Sequence, residues 1–293
     1  MNSVFIDPRT KYPTPTFPAD MQSIPGTEGE MNPQADHGEQ SYHGNKKLNG
    51  AVAIITGGDS GIGRAIAVAY AREGAHVVFT YLEEEKDARE TEQLVRQCGV
   101  EVMSIKMNQA DRAACERVID DCLERFGRLD ILINNAAFQK TYSSIEDIPD
   151  EEIDYTFRTN IESFFFFSRY ALKFMSIGGS IINTTSIQAF SPSANLAPYA
   201  ATKAAIANFT LSLAEEAIKK GIRVNAVAPG PVWTPLIPST MPEEKVKSFG
   251  SNTLFERPAQ PAELAPIYVF LASEDASYIS GEIYGVTGGR RQL

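Results

Sequence analysis

Ala51-Val52-Ala53-Ile54-Ile55-Thr56-Gly57-Gly58-Asp59-Ser60-Gly61-Ile62-Gly63 is the stretch from which the fold is read. Its first five residues form a short apolar run, the pattern of a parallel strand buried on both faces. A glycine turn follows, and residues 64–72 then read as a helix. Glycine at such a junction permits a tight turn, lets the backbone approach a pyrophosphate and packs helix closely on strand. The helix N-terminus attracts the phosphates. The spacing is T-G-x-x-x-G-x-G and not the tighter G-x-G-x-x-G, so its meaning comes from context. It lies after a strand, before a helix and near the start of an alternating strand-helix chain, which is the setting a dinucleotide turn requires.

Downstream, strand signals at 75–80, 102–107, 129–133, 180–184, 223–227 and 283–286 alternate with helical ones. The helices are expected from about Glu83, at 113–125, at 151–175, from Tyr199 to about Lys220, and at 262–272. Repeated strand-helix units with short apolar strands predict an α/β fold, a doubly wound, Rossmann-like parallel sheet covered on both faces. Residues 48–293 are read as one domain. Residues 1–47 differ: six prolines fall among four glycines with no helix or strand period. Such a composition suits a disordered tail, but Phe5, Ile6, Tyr12, Phe17, Met21, Ile24 and Tyr42 supply apolar anchors. We expect an extended arm lying on its own domain or on a neighbouring subunit.

The chain has 293 residues, is 43% hydrophobic and carries a net charge of -10, enough sequence for a large core and too acidic for a phosphate-backbone partner. No run is long enough to span a bilayer, and no basic segment precedes an apolar one at the N-terminus, so a cytoplasmic protein is expected. Cys98, Cys115 and Cys122 are an odd count without metal spacing. Cys115 and Cys122, seven apart, read as small buried apolar residues on one helix face. His37 and His43 near Asp36 match no ligand pattern and are taken as loop residues.

Tyr199-Ala200-Ala201-Thr202-Lys203 carries the chemistry. In a helix, Tyr199 and Lys203 share a face, and an ammonium beside a phenol is expected to lower the tyrosine pKa toward neutrality. Tyr199 then exchanges a proton with a substrate oxygen held by the Ser186 hydroxyl.

These motifs, with Asn134-Asn135-Ala136-Ala137, Pro229-Gly230 and Thr234, and the late Ser280-Gly281 to Gly288-Gly289 segment, resemble the short-chain dehydrogenase/reductase family from about residue 48 onward. Ala137 stands where that family more often has glycine. The arm lies outside the family core and resembles the extension of a stress-associated bacterial subgroup with similar TGGDSGIG turns. The resemblance implies that Tyr199 is the acid/base, that Lys203 lowers its pKa and binds the nicotinamide ribose, that Ser186 fixes the substrate oxygen, and that Asn160 supports a water-linked proton path. It implies a dinucleotide site of Gly57, Asp59, Ser60, Gly61, Ile62, Gly63, Tyr81, Asn135, Ala136, Ala137, Pro229, Gly230, Val232 and Thr234, with Asn108 and Gln109 flanking the adenine.

An acid at the end of the second strand ordinarily selects NAD and an arginine NADP. Here Thr80-Tyr81-Leu82-Glu83-Glu84-Glu85 offers neither in the usual place. The glutamates repel a 2'-phosphate unless Arg64 or Lys86 compensates, so NAD is preferred with NADP possible. Phe190, Trp233, Leu236 and Ile237 suggest an apolar pocket for a small carbonyl or alcohol. Phe164, Phe165, Phe166 and Phe167 run round one helix, so one or more must face outward; with the resemblance, this implies a homotetramer. The expected activity is NAD(P)-dependent interconversion of an alcohol and a carbonyl; the alternative is a non-catalytic dinucleotide-binding redox sensor or scaffold.

Overall fold

The computed structural model describes residues 6–290. Seven parallel strands, β1 (Val52–Ile55), β2 (His76–Tyr81), β3 (Val102–Lys106), β4 (Ile131–Asn134), β5 (Ser180–Thr184), β6 (Arg223–Pro229) and β7 (Ile283–Val286), form one sheet in the order β3-β2-β1-β4-β5-β6-β7. The order reverses between β1 and β4, which opens a crevice at the carboxyl ends of these strands. β1, β4, β5 and β6 are buried along their whole length, as apolar parallel strands covered on both sides must be.

Helices α1 (Gly61–Arg72) and α9 (Pro261–Ala272) cover one face with Ile66, Tyr70, Leu264 and Tyr268. α3 (Arg112–Phe126), α5 (Ser163–Ala171) and α6 (Ala197–Ala217) cover the other with Ile119, Phe164, Phe167 and Ile206. Cys115 and Cys122 are buried in that second layer, and burial pushes both thiols up to about 12. α2 (Glu85–Arg96) flanks β2 and β3, while short α7 (Leu236–Thr240) and α8 (Glu243–Lys247) lie in the long segment after β6.

The structure refines three expectations. α1 begins at Gly61, so the glycines are its first turn and not only its approach. The long helix expected at 151–175 is α4 (Asp150–Phe157), then a π-helical turn at Arg158–Glu162, then α5. Asn160 sits in that turn, a feature that often marks functional sites. Of the four consecutive phenylalanines, Phe164 and Phe167 are buried and Phe165 is 48% exposed, its ring 4.0 Å from that of Phe209.

The arm lies on its own domain. Phe17 packs on Trp233 at 4.5 Å, and the Trp233 Nε1–H donates to the Pro33 carbonyl at 2.8 Å. Tyr42 donates to Glu73 at 2.5 Å, and Arg72 donates to the carbonyls of Glu39 and Tyr42. These bonds replace a regular ladder with side-chain anchors, which is why no period is visible here. Phe5, named above as an anchor, lies outside the described residues. Trp233 was expected to line the substrate pocket; instead it is almost fully buried under the arm.

Candidate active site

A cavity of about 890 Å³ occupies the crevice, running from Tyr81 at the end of β2 to Tyr199 on α6. Gly57 and Gly61 enter it with φ of +62° and +51°, the left-handed region that glycine favours. A Cβ on Gly57 would meet Ala136 at 2.9 Å, and one on Gly61 would meet the Thr234 methyl at 3.0 Å. A side chain would therefore fill the approach a pyrophosphate needs. Gly63 does not line the cavity; a Cβ there would collide with the Gly57 carbonyl, so it serves the packing of turn on helix. Asn135 fastens the turn to β4 by donating its side-chain amide to the carbonyls of Thr56 and Gly57 at 3.1 and 3.2 Å.

Asp59, Ser60, Ile62, Tyr81, Asn108 and Ala137 line the cavity, as do Pro229, Gly230 and Val232. Gln109 also lines it, but its side-chain amide is committed to the carbonyls of Ala136 and Thr159 at 3.1 and 2.8 Å. Burial, helped by the Glu84 charge, pushes the Asp59 carboxyl up to about 7. Arg64 does not line the cavity: it is buried, donates to the carbonyls of Asp59 and Asp87, and lies within 3.5 Å of Glu90. Lys86 does not line the cavity; its ammonium lies against Gly29 of the arm.

At the other end, Ser186, Tyr199 and Lys203 face the same cavity. Alanines around Tyr199 favour the helix that brings Lys203 under it, and the Lys203 Nζ stands 5.3 Å from the phenol ring centre. One of its N–H groups donates to the Thr184 carbonyl at 2.9 Å. Against the expected lowering of the phenol, burial dominates and pushes Tyr199 up to about 12, with the Ser186 hydroxyl opposing. Burial also brings Lys203 down to about 7, so the ammonium that would pull on the phenol is itself only partly formed near neutrality.

Asn160 does not line the cavity, and its amide is fully employed. It donates to the Phe138 carbonyl at 2.7 Å and to the Thr202 hydroxyl at 3.2 Å, and accepts from the Phe138 N–H at 2.7 Å. It thus fixes the loop after β4, whose Phe138 and Gln139 form a wall of the cavity. Leu236 and Ile237 line the cavity; Phe190 and Trp233 do not. Ile24, Pro25 and Gly26 of the arm line the cavity too, and nothing in the glycine-turn pattern signals them. Among the described residues no three His, Cys, Asp or Glu are grouped to hold a metal ion, and no helix is long and apolar enough to cross a membrane.

A strand-to-helix glycine turn joined by one crevice to a Ser-Tyr-Lys group defines a nicotinamide-dinucleotide-dependent oxidoreductase that interconverts an alcohol and a carbonyl. The chain belongs to the short-chain dehydrogenase/reductase family. A family profile described as enoyl-(acyl carrier protein) reductase matches residues 57–291. The chain is 47% identical to general stress protein 39 of Bacillus subtilis (strain 168), covering 93% of this chain and 96% of that protein. It is 48% identical to the NADPH-dependent aldehyde reductase 1, chloroplastic, of Arabidopsis thaliana, covering 90% of this chain and 94% of that one. Among solved structures, a short-chain dehydrogenase from Burkholderia cenocepacia J2315 in complex with NADP aligns with TM-score 0.78 at 31% identity, covering 83% of this chain and 98% of that one.

Proposed function

We propose that this enzyme reduces a small or medium aldehyde or ketone, with Tyr199 as the proton donor, Ser186 as the hydrogen-bonding partner of the carbonyl oxygen and Lys203 as the group beneath both. The observation that carries the reading is that these three side chains line one wall of a cavity continuous with the glycine turn. A bound reduced nicotinamide supplies the hydride. The chain's own task is to hold the carbonyl and deliver one proton to its oxygen. A phenol raised by burial to about 12 keeps its proton at neutral pH, so Tyr199 stands in the form from which a carbonyl oxygen can take a proton. Asn160 acts as a positioning residue, because its side chain meets the site through the Phe138 loop and Thr202 of α6 and does not itself line the cavity.

The named cofactors of the Arabidopsis and Burkholderia relatives favour NADP here, against the NAD preference expected from sequence. Glu83 and Glu84 line the cavity beside Tyr81 while Arg64 and Lys86 do not, so a 2'-phosphate at the end of β2 meets carboxylate charge there. Glu84→Gln should therefore tighten NADPH binding about threefold, the size of a partly exposed charge interaction, while NADH moves little. Fluorescence titration of both cofactors, followed by oxidation of each against a panel of aldehydes and ketones, tests the whole reading. No turnover on any carbonyl despite tight binding would sink it.

We further propose a cytoplasmic homotetramer. The cysteines are free thiols, as a reducing compartment requires. Phe165 and Leu211 leave an apolar surface across α5 and α6, each nearly half exposed. Phe165→Glu should convert the tetramer to smaller species in sedimentation; a wild type that already sediments as a monomer refutes the assembly.

A further inference from the structure

The arm carries buried ionisable groups that no step above uses. Glu28 is 2% exposed, and its Oε1 accepts the Gly61 N–H, the first of α1, at 2.6 Å. The same oxygen lies 2.8 Å from the His37 Nε2, while the Glu28 N–H donates to Asp87 at 2.8 Å. His37 Nδ1 in turn faces Glu39 at 3.1 Å. Burial alone would raise the Glu28 carboxyl, but His37, then Arg64 and the Gly61 N–H, outweigh it and hold it below the usual range. His37 is raised to about 9 by Glu28 and Glu39 against the opposing effect of burial. Ser60, at the position from which a side chain ordinarily caps a helix, makes no cap bond. Glu28 takes that place from 33 residues away.

The residues just before Glu28 reach the other side of the crevice. Gly26 lies so close to the segment entering α7 that a Cβ would stand 2.5 Å from the Pro235 carbonyl oxygen. Gln22 N–H donates to the Pro238 carbonyl at 3.1 Å, and its side-chain oxygen accepts from the Thr27 N–H at 2.6 Å. Residues 22–28 thus run from α7 to the glycine turn, with Ile24, Pro25 and Gly26 in the cavity wall. Gly61 is held between Glu28 on one side and the Thr234 methyl on the other.

We infer that residues 22–28 are a built part of the dinucleotide site and that Glu28 is a positioning residue for its glycine turn. This rests on the nicotinamide-dinucleotide reading above. Glu28 does not line the cavity, so it acts through Gly61 and the first turn of α1. Its charge is answered by His37 and Arg64, so it supplies an acceptor to the turn without adding a net repulsion toward a pyrophosphate. Small displacements of a binding backbone carry large losses.

The test compares the full-length wild type with Glu28→Ala, Glu28→Gln and Gly26→Ala, reading NADPH and NADH dissociation constants, kcat at saturating cofactor and thermal midpoint. Glu28→Ala should weaken both cofactors about tenfold, the scale of one buried hydrogen bond left unmade, with kcat held within about twofold. Glu28→Gln, which keeps the acceptor, should restore binding to within about threefold. Gly26→Ala disturbs the strap without altering any charge and should also weaken binding; it decides the matter with Glu28→Gln if the alanine variant fails to fold. A folded Glu28→Ala with wild-type affinity, or a Glu28→Gln as damaged as the alanine variant, overturns the inference. A wild type that binds neither dinucleotide removes the underlying reading itself, which the variants' thermal midpoints cannot do.

Discussion

Tyr199→Phe should lower carbonyl reduction by roughly 10²–10⁴-fold, the usual contribution of a positioned acid, and leave dinucleotide binding within about twofold. The asymmetry follows from geometry. The phenol hydroxyl is what the substitution removes, whereas the ring that packs at the start of α6 remains, so the wall of the cavity keeps its shape. No neighbour replaces the lost proton well: a serine hydroxyl such as Ser186 is a far weaker acid than a phenol, and Lys203 has one N–H directed to the Thr184 carbonyl at 2.9 Å. Stopped-flow measurement of cofactor oxidation at saturating carbonyl, with cofactor affinity determined separately, separates chemistry from binding. Turnover that survives the change with intact affinity removes Tyr199 from its assigned role and leaves the cavity a binding site only.

Most of this architecture is legible in local pattern. Short apolar strands and the 57–63 turn suffice for a doubly wound sheet, because a parallel strand must be apolar on both faces and a turn against phosphates must be glycine. The Tyr199 and Lys203 pairing is equally local, one helical turn. Features that escaped depend on distant groups. The π-helical turn holds Asn160, whose amide engages Phe138, 22 residues earlier, a pairing that no local pattern shows. Burial, invisible in spacing, raises the Tyr199 phenol and lowers the Lys203 ammonium, both away from the charged forms. His37 is the loop residue it reads as, but its burial against Glu28 is not written in the spacing, and Trp233 anchors the arm rather than lining the cavity. An arm without periodicity reveals its contacts only when the domain beneath it is known.

Lys203 places a cost on the fold that its removal should expose. Burial lowers its pKa to about 7 from an ordinary value near 10.4. Between those values the unfolded chain binds a proton that the folded chain does not, so this group makes the protein more stable as pH rises from about 7 toward 10. Below about 7 both states are protonated, the slope vanishes, and the folded protein carries the full cost of a buried ammonium. Lys203→Met should therefore be most stabilising, relative to wild type, at or below neutrality. Its advantage should shrink at up to about 1.4 kcal/mol per pH unit on moving to pH 9 or so. Urea unfolding of both proteins across that range measures the difference directly, since other titrating groups are shared. Parallel curves would mean that the buried lysine keeps its ordinary pKa. The same substitution should cut carbonyl reduction by about 10²-fold, through loss of the group that lies beneath Tyr199 and lines the cavity with it. A change that stabilises the fold while cutting activity is the expected signature of a polar group retained for its place in the site against the preference of the core.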